Sequence, residues 1–158
     1  MTLTVRLATQ VDAAVISALN ADVQQLHAGA EPGFFKPPSD STFPAALVKS
    51  LMANPDTRFC LAFVDSKPAG YLYATIRRRA DTPMTYPTTW VYVEQISVSP
   101  AFQHMGCGEA LMDAAKAWAR EEGISTVALD TWAFNTQAQR FFAKQGFVPF
   151  NIRMWTEV

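Results

Sequence analysis

Apolar positions fall into two rhythms along the chain, and their order predicts its elements. Thr4 to Ala8 can form a short first strand. Val15, Ile16, Leu19, Val23 and Leu26 then recur at helical spacing, which predicts a helix from about Ala13 to His27 with the Asp12 carboxylate as N-cap. Gly29, Pro32, Gly33, Pro37 and Pro38 break regular structure after it. Leu47, Val48 and Leu51 mark the inner face of a second helix, which Ser41 or Thr42 can cap and which Asn54-Pro55-Asp56 ends. Phe59 to Val64 and Gly70 to Arg77 are rich in β formers and flank the turn sequence Asp65-Ser66-Lys67-Pro68, so the pair predicts a hairpin. Trp90 to Val98 is the strongest strand pattern in the chain. Beyond it the pattern predicts a helix from Gly106 to Glu122, a strand from Thr126 to Thr131 and a helix from Asn135 to Lys144. Gly123 and Gly146 close the two helices. A last strand is expected from Phe147 to Thr156, with Pro149 demoting its start to an edge or a bulge.

This order predicts an α/β layer arrangement around one mixed sheet. No repeat, low-complexity tract or composition shift divides the chain, so residues 1–158 read as a single domain of ordinary size. Hydrophobic residues make up 49% and charged residues 17%, enough for one real core. The net charge of −1 and pI near 6.1 give no global field that favours nucleic acid or an anionic membrane. An anionic ligand must then be held by local donors. The two cysteines, Cys60 and Cys107, are too few for a disulfide scaffold, and neither they nor His27 and His104 show metal-ligand spacing. No signal peptide or run of membrane-spanning length is visible, which points to a cytoplasmic protein without a metal.

The chemistry concentrates after Val98. There Gln103-His104-Met105-Gly106-Cys107-Gly108 lies between a predicted strand and a predicted helix. Glycines let a backbone turn tightly and let a ligand approach its amides. The first turn of a helix carries unpaired N–H groups and a partial positive charge. Together they make a phosphate site that needs no basic side chain. Other glycine loops fit less well: a Walker A loop needs Gly-Lys-Ser/Thr, which is missing, and a dinucleotide fingerprint needs a third glycine where Leu111 stands, so a nucleotide-binding α/β protein is the weaker reading. On spacing alone, a plain strand–helix turn remains the other reading.

Gln103-x-x-Gly106-x-Gly108 matches Gln/Arg-x-x-Gly-x-Gly/Ala, the signature of the GNAT superfamily of N-acetyltransferases. Leu129 to Asn135, followed by Ala138, Phe141-Phe142 and Gly146-Phe147, resembles that family's next strand, helix and exit. The resemblance spans roughly residues 90–150 and implies a mixed, mostly antiparallel central sheet with helices on both faces. It implies acetyl-CoA as co-substrate, held by the amides of Gln103, His104, Met105, Gly106, Cys107 and Gly108, by β pairing near Ile96 and Val98, and by Asn135. It implies direct attack by a primary amine, carried on a small molecule or on a protein.

A protonated amine cannot attack, and Glu94 is the candidate base. Strand alternation puts it on one face with Ile96 and Val98 unless a bulge intervenes. The bland alternative is that Glu94 pairs with a basic neighbour. Phe142 stands where many family members carry a proton-donating tyrosine, which leaves Tyr71, Tyr73 and Tyr92 as the available phenols. His27, Phe34 and Phe35 are candidate acceptor-site residues. The two phenylalanines lie in a Pro/Gly loop, and His27 sits at a helix end whose dipole would favour its cation. Cys107 is at a helix N-terminus, which lowers a thiol pKa. Even so, it reads as a small loop filler, because direct transfer needs no nucleophile. Arg77-Arg78-Arg79 reads as a solvated strand end. A homodimer using Phe147 to Val158 follows from family analogy. The alternative to catalysis is an acyl-CoA-binding module without turnover.

Overall fold

Strands whose two faces are both apolar must be covered on both sides, and the middle of this chain has that pattern. A computed structural model describes residues 1–158. Its sheet has the order β1 (Leu3–Leu7), β2 (Thr57–Val64), β3 (Lys67–Arg79), β4 (Thr88–Val98) and β5 (Val127–Leu129). The first four pair antiparallel, and β4 pairs β5 in parallel. In β2, Cys60, Ala62 and Val64 point to one layer while Phe59 and Leu61 point to the other.

Each layer is closed by helices. α1 (Ala13–Ala30) and α2 (Ala45–Met52) bury Ile16, Leu19 and Val48 against Phe59, Leu61 and Tyr71. α3 (Cys107–Glu121) buries Cys107, Leu111, Met112, Ala115, Trp118 and Ala119 on the opposite face, a helical stripe of spacing 3.6. α4 (Thr136–Lys144) joins that second layer through Phe142. The result is a single α/β domain with helices on both faces.

Polar contacts fix α1 across the sheet. Asn20 Nδ2 donates to the Tyr71 hydroxyl at 2.8 Å, and that hydroxyl donates to Gln95 Oε1 at 2.7 Å. Ser97 Oγ donates to the Leu19 carbonyl, and Ser99 Oγ donates to Asp22. Tyr71 is fully buried, so leaving this network half-made would expose a desolvated polar atom to nothing.

The ends of several elements differ from the sequence expectation. The Asp12 carboxylate does not cap α1. Arg6 takes both its oxygens at 2.8 Å, and the Thr9 N–H donates to Oδ2 at 2.8 Å. Pro44, not Ser41 or Thr42, precedes α2, because Thr42 Oγ1 is used by the Ser39 N–H in its own turn. The hairpin turn is only Asp65-Ser66, both at positive φ, so β3 starts early at Lys67. β5 contracts to three residues.

The largest difference is the last strand. α4 ends at Gly146 with φ +89°, and the Phe147 N–H donates back to the Phe142 carbonyl at 3.0 Å. From Val148 to Val158 the backbone has no strand partner and no backbone–backbone hydrogen bond. Strand propensity is present in this segment, but a strand needs a neighbour, and the fold supplies none within the chain.

Hydrogen bonding from Arg6 pulls the Asp12 carboxyl down to about 2 from the ordinary 3.8. A depressed carboxylate pKa stabilises the fold above the ordinary value, and that stabilisation is lost as pH falls through the native value. Asp12→Asn should therefore cost about 1–2 kcal/mol at pH 7. The gap to the unsubstituted protein should close as pH drops from about 4 to about 2, as read by denaturant unfolding at each pH.

Candidate active site

One register slip shapes the centre of the molecule. Tyr73 faces Gln95 across β3 and β4, but Ala74 faces Val93, so Glu94 is an extra residue bulged out of the ladder. A bulge reverses strand parity. Val91 and Val93 before it, and Ile96 and Val98 after it, all pack toward the α3 layer. Glu94 therefore does not share a face with Ile96 and Val98, correcting the simple alternation. It reaches the α1 side with Thr75 and Arg77.

There Glu94 is tightly held. Thr75 Oγ1 donates to its Oε1 at 2.6 Å, and Arg77 donates to Oε1 at 2.8 Å and to Oε2 at 2.7 Å. Arg77 also lies 3.5 Å from the ring centroid of Tyr92. Arg77 is thus no solvated strand end; it is built into the site. Its place was readable in hindsight, because hairpin alternation puts Tyr73, Thr75 and Arg77 on one face. Arg78 pairs separately with Asp56.

The three phenols divide by environment. The Tyr71 hydroxyl is buried and committed to Asn20 and Gln95. Burial and the nearby Glu94 charge push the Tyr73 phenol up. Burial, and Asp130 beside its hydroxyl, push Tyr92 up to about 12. Tyr73 and Tyr92 thus remain protonated donors at neutral pH on the Glu94 face. Phe142 is buried in the α3–α4 layer.

β4 and β5 part company at the bulge. They pair only over Val91–Val93 and Val127–Leu129, so β4 beyond Val93 has an open side. The Ser99 N–H donates to Ala69 in β3, and alternation then points the amides and carbonyls of Ile96 and Val98 away from β3 into that gap. Gln103 Nε2 approaches the Val98 carbonyl there at 3.4 Å.

The Gln103–Gly108 loop closes the end of the gap. No backbone N–H from His104 through Glu109 donates to a backbone carbonyl, and the first bond of α3 runs from Ala110 to Gly106. His104 and Gly106 take positive φ of 62° and 83°. The two loop glycines have different jobs. Gly106 makes the left-handed turn into α3, whereas a Cβ on Gly108 would meet the Phe141 ring at 3.2 Å. Gly108 therefore lets α4 pack against the start of α3. The Met105 side chain is exposed while the Cys107 thiol points into the core. Burial raises the Cys107 pKa, so desolvation overrides the helix-terminus effect expected from sequence. Asn135 caps α4, its Oδ1 accepting from the Ala138 N–H at 3.0 Å, while its Nδ2 has no protein partner.

His27, Phe34 and Phe35 are brought together, and the fold adds two residues to them. His27 stacks on Phe35 at 4.9 Å, and Trp132 lies 4.8 Å from Phe35 and 5.2 Å from Phe34. Phe134 meets the His27 edge at 5.7 Å. This aromatic bridge links the end of α1 to the loop between β5 and α4. α1 runs on to Ala30, and burial lowers the His27 pKa, so this ring is not the dipole-stabilised cation that its position suggested. Trp132 and Phe134 could not be paired with His27 from sequence, since they lie about a hundred residues away and share no motif with it.

Comparison with known proteins bears on the fold and the family. The model of the acetyltransferase (GNAT) family matches residues 21–147. A curated relative from Lactobacillus delbrueckii subsp. lactis, an uncharacterized N-acetyltransferase in the pepI 3′ region, is 29% identical over 100 residues. That alignment covers 63% of this chain and 57% of the relative. Among solved structures, the tetramutant of the BH1408 protein from Bacillus halodurans superposes with TM-score 0.91 at 19% identity, covering 98% of this chain and 99% of that one. AAC(6′)-Iy in complex with the bisubstrate analogue CoA-S-monomethyl-acetylneamine gives TM-score 0.75 at 19% identity, covering 100% and 99%. The aminoglycoside antibiotic 6′-N-acetyltransferase AAC(6′)-IG from Acinetobacter haemolyticus gives 0.74 at 18% identity, covering 98% and 97%. With its opened strand pair, its row of free amides and a family match over most of its length, this chain belongs to the GNAT family of acetyltransferases.

Proposed function

We propose that this protein is an N-acetyltransferase that moves an acetyl group from acetyl-CoA to a primary amine by direct attack. The observation that carries the reading is the run of backbone N–H groups from His104 to Glu109 without backbone acceptors, at the start of α3 and beside the opened edge of β4. These donors suit a pyrophosphate in a chain with almost no net charge. Acetyl-CoA supplies the activated acyl group as a thioester. In this reading the loop amides from Gln103 to Gly108 hold the diphosphate, with the exposed His104 and Met105 side chains bordering it. The free Nδ2 of Asn135 and the gap-facing backbone of Ile96 and Val98 orient the arm. A backbone N–H in that gap is also placed to stabilise negative charge developing on a carbonyl oxygen.

Glu94 is assigned to the amine proton. Its Oε2 accepts only from Arg77, so it keeps room for an ammonium or for a water that relays the proton. Arg77 and Thr75 fix the carboxylate in place. His27, Phe34 and Phe35, extended by Trp132 and Phe134, are assigned to the acceptor wall. A protonated phenol, Tyr73 or Tyr92, or solvent supplies the proton that Phe142 lacks. The acceptor is an amine on a small molecule or on a protein, and no metal is required. One observation favours a second reading: the same Arg77 and Thr75 contacts also suit a purely structural Glu94, as in an acyl-CoA-binding module without turnover.

Acetyl-CoA at 100 times its Kd should add about 2.7 kcal/mol of stability. The unfolding midpoint should rise by roughly 5–10 °C, with no rise from ATP or NAD. Gly106→Ala should strain the loop by about 1–2 kcal/mol and shrink that ligand-induced rise. A midpoint that acetyl-CoA leaves unmoved would remove the loop from the binding site.

Glu94→Gln separates the two readings. It should lower kcat on the order of 100-fold or more in a thiol-release assay across a panel of amines. The acetyl-CoA-induced midpoint rise should survive, showing an intact fold. Unchanged kcat would reassign Glu94 to structure. No turnover by the unsubstituted protein with any amine, despite acetyl-CoA binding, would favour the module.

A further inference from the structure

The loop that carries the aromatic wall has a second side. Phe34 and Phe35 meet Trp132 at 5.2 and 4.8 Å, and the same two residues line a surface cleft of about 490 Å³ between α1 and the segment leading to α2. That volume lies within the roughly 300–1,000 Å³ of small-molecule sites. The remaining walls are polar: Gln24 on α1, Lys36, and the hydroxyls of Ser39, Ser41 and Thr42. Lys36 is the only charged side chain among them, and it takes part in none of the four ion pairs of the chain.

These groups are tied in place. Gln24 Nε2 donates to the Lys36 carbonyl at 2.6 Å, which fastens the loop to α1. The Ser39 N–H donates to Thr42 Oγ1 at 2.9 Å, and Ser39 Oγ lies 3.0 Å from Ser41 Oγ and 3.2 Å from Thr42 Oγ1. Hydroxyls that share protons among themselves can turn an O–H toward an incoming acceptor. One ammonium beside three hydroxyls therefore suits an oxyanion. A single cation balances a carboxylate monoanion better than a phosphate dianion.

The far side of the aromatic wall carries the opposite charge. β4 and β5 stay in register up to Val93 and Leu129, so the next residues, Glu94 and Asp130, emerge side by side where the strands part. Val127 and Leu129 border the α3 layer, so alternation sends Asp130 to the other face, beside the Tyr92 hydroxyl. Arg77 pairs with Glu94, and Asp130 has no ion-pair partner. Two residues on, Trp132 begins the aromatic wall, where burial holds His27 toward its neutral form. Charge on the acceptor side thus runs from two carboxylates, across aromatic rings, to one unpaired lysine. We propose that the acceptor is a zwitterion with a primary amine at one end, an apolar middle and a carboxylate at the other end, the carboxylate binding in the Lys36 cleft. This rests on the assignment of Glu94 and the aromatic wall to the acceptor. A polycationic amine would meet Lys36 with like charge.

The test measures binding apart from turnover. The full chain, with and without CoA, is titrated calorimetrically with three series of increasing length: ω-amino acids, alkylamines and α,ω-diamines. Once long enough to span the aromatic wall, the ω-amino acid should bind about tenfold more tightly than the alkylamine of equal length. The diamine should bind no more tightly than the alkylamine. Lys36→Ala should erase the difference, Lys36→Arg should keep it, and Lys36→Glu should transfer it to the diamine. Lys36 is exposed, so each variant should keep its fold, as its melting curve would show. No binding by any series, equal binding of acids and alkylamines at every length, or a preference that survives Lys36→Ala would overturn the proposal. Thiol release with acetyl-CoA tests the transfer reading separately. An ω-amino acid that binds through Lys36 but is not acetylated would support the carboxylate site and remove the acetyl-transfer assignment.

Discussion

Glu94 is one residue more than the β3–β4 ladder can pair, and much of the site depends on how the strand absorbs it. Before the bulge, Val91 and Val93 pack toward α3; after it, Ile96 and Val98 do the same. The core thus runs unbroken beneath a strand that has changed parity. On the other face the bulge delivers Glu94 to Thr75 and Arg77, and Gln95 to Tyr71 and Asn20. These contacts anchor the sheet's polar face and, through Asn20, locate α1 across it. β5 parts from β4 at the same point, so the open backbone of Ile96 and Val98 and the carboxylate of Glu94 lie on the same stretch of strand.

Placing the anion site on backbone amides suits a protein with a net charge near zero. A phosphate site built from lysines would create a field that draws many anions, whereas free N–H groups at a helix start act only at short range. The loop needs two glycines for unrelated reasons. Gly106 supplies a backbone angle that side chains resist, and Gly108 supplies room for Phe141. The second couples the loop to α4, the helix that Asn135 caps. A single packing contact therefore links the two motifs that identify the family.

Electrostatics in this molecule follows burial more than element position. Cys107 and His27 both sit at helix ends where a dipole would favour their charged forms, and desolvation shifts both the other way. The arginines show the converse. Arg6 and Arg77 each take a carboxylate in two-pronged contact and thereby settle where Asp12 and Glu94 point.

Most of the order of elements, the α/β arrangement around one mixed sheet and the glycine loop were legible in the sequence because each is written locally. Helical and strand periods are short-range patterns, and the loop signature occupies six consecutive residues. Strand ends and caps were less legible: Asp12 has the right side chain and position for a cap, but Arg6 competes for it from another element. Three features were decided only by tertiary structure. The bulge arises from mismatch between two strands, so neither strand shows it alone. The aromatic bridge joins His27 to Trp132 and Phe134 across the fold, a contact of long sequence separation that no local pattern encodes. The segment after Gly146 has a strand's alternation, but pairing requires a neighbouring edge, and the fold places none beside it within its own chain.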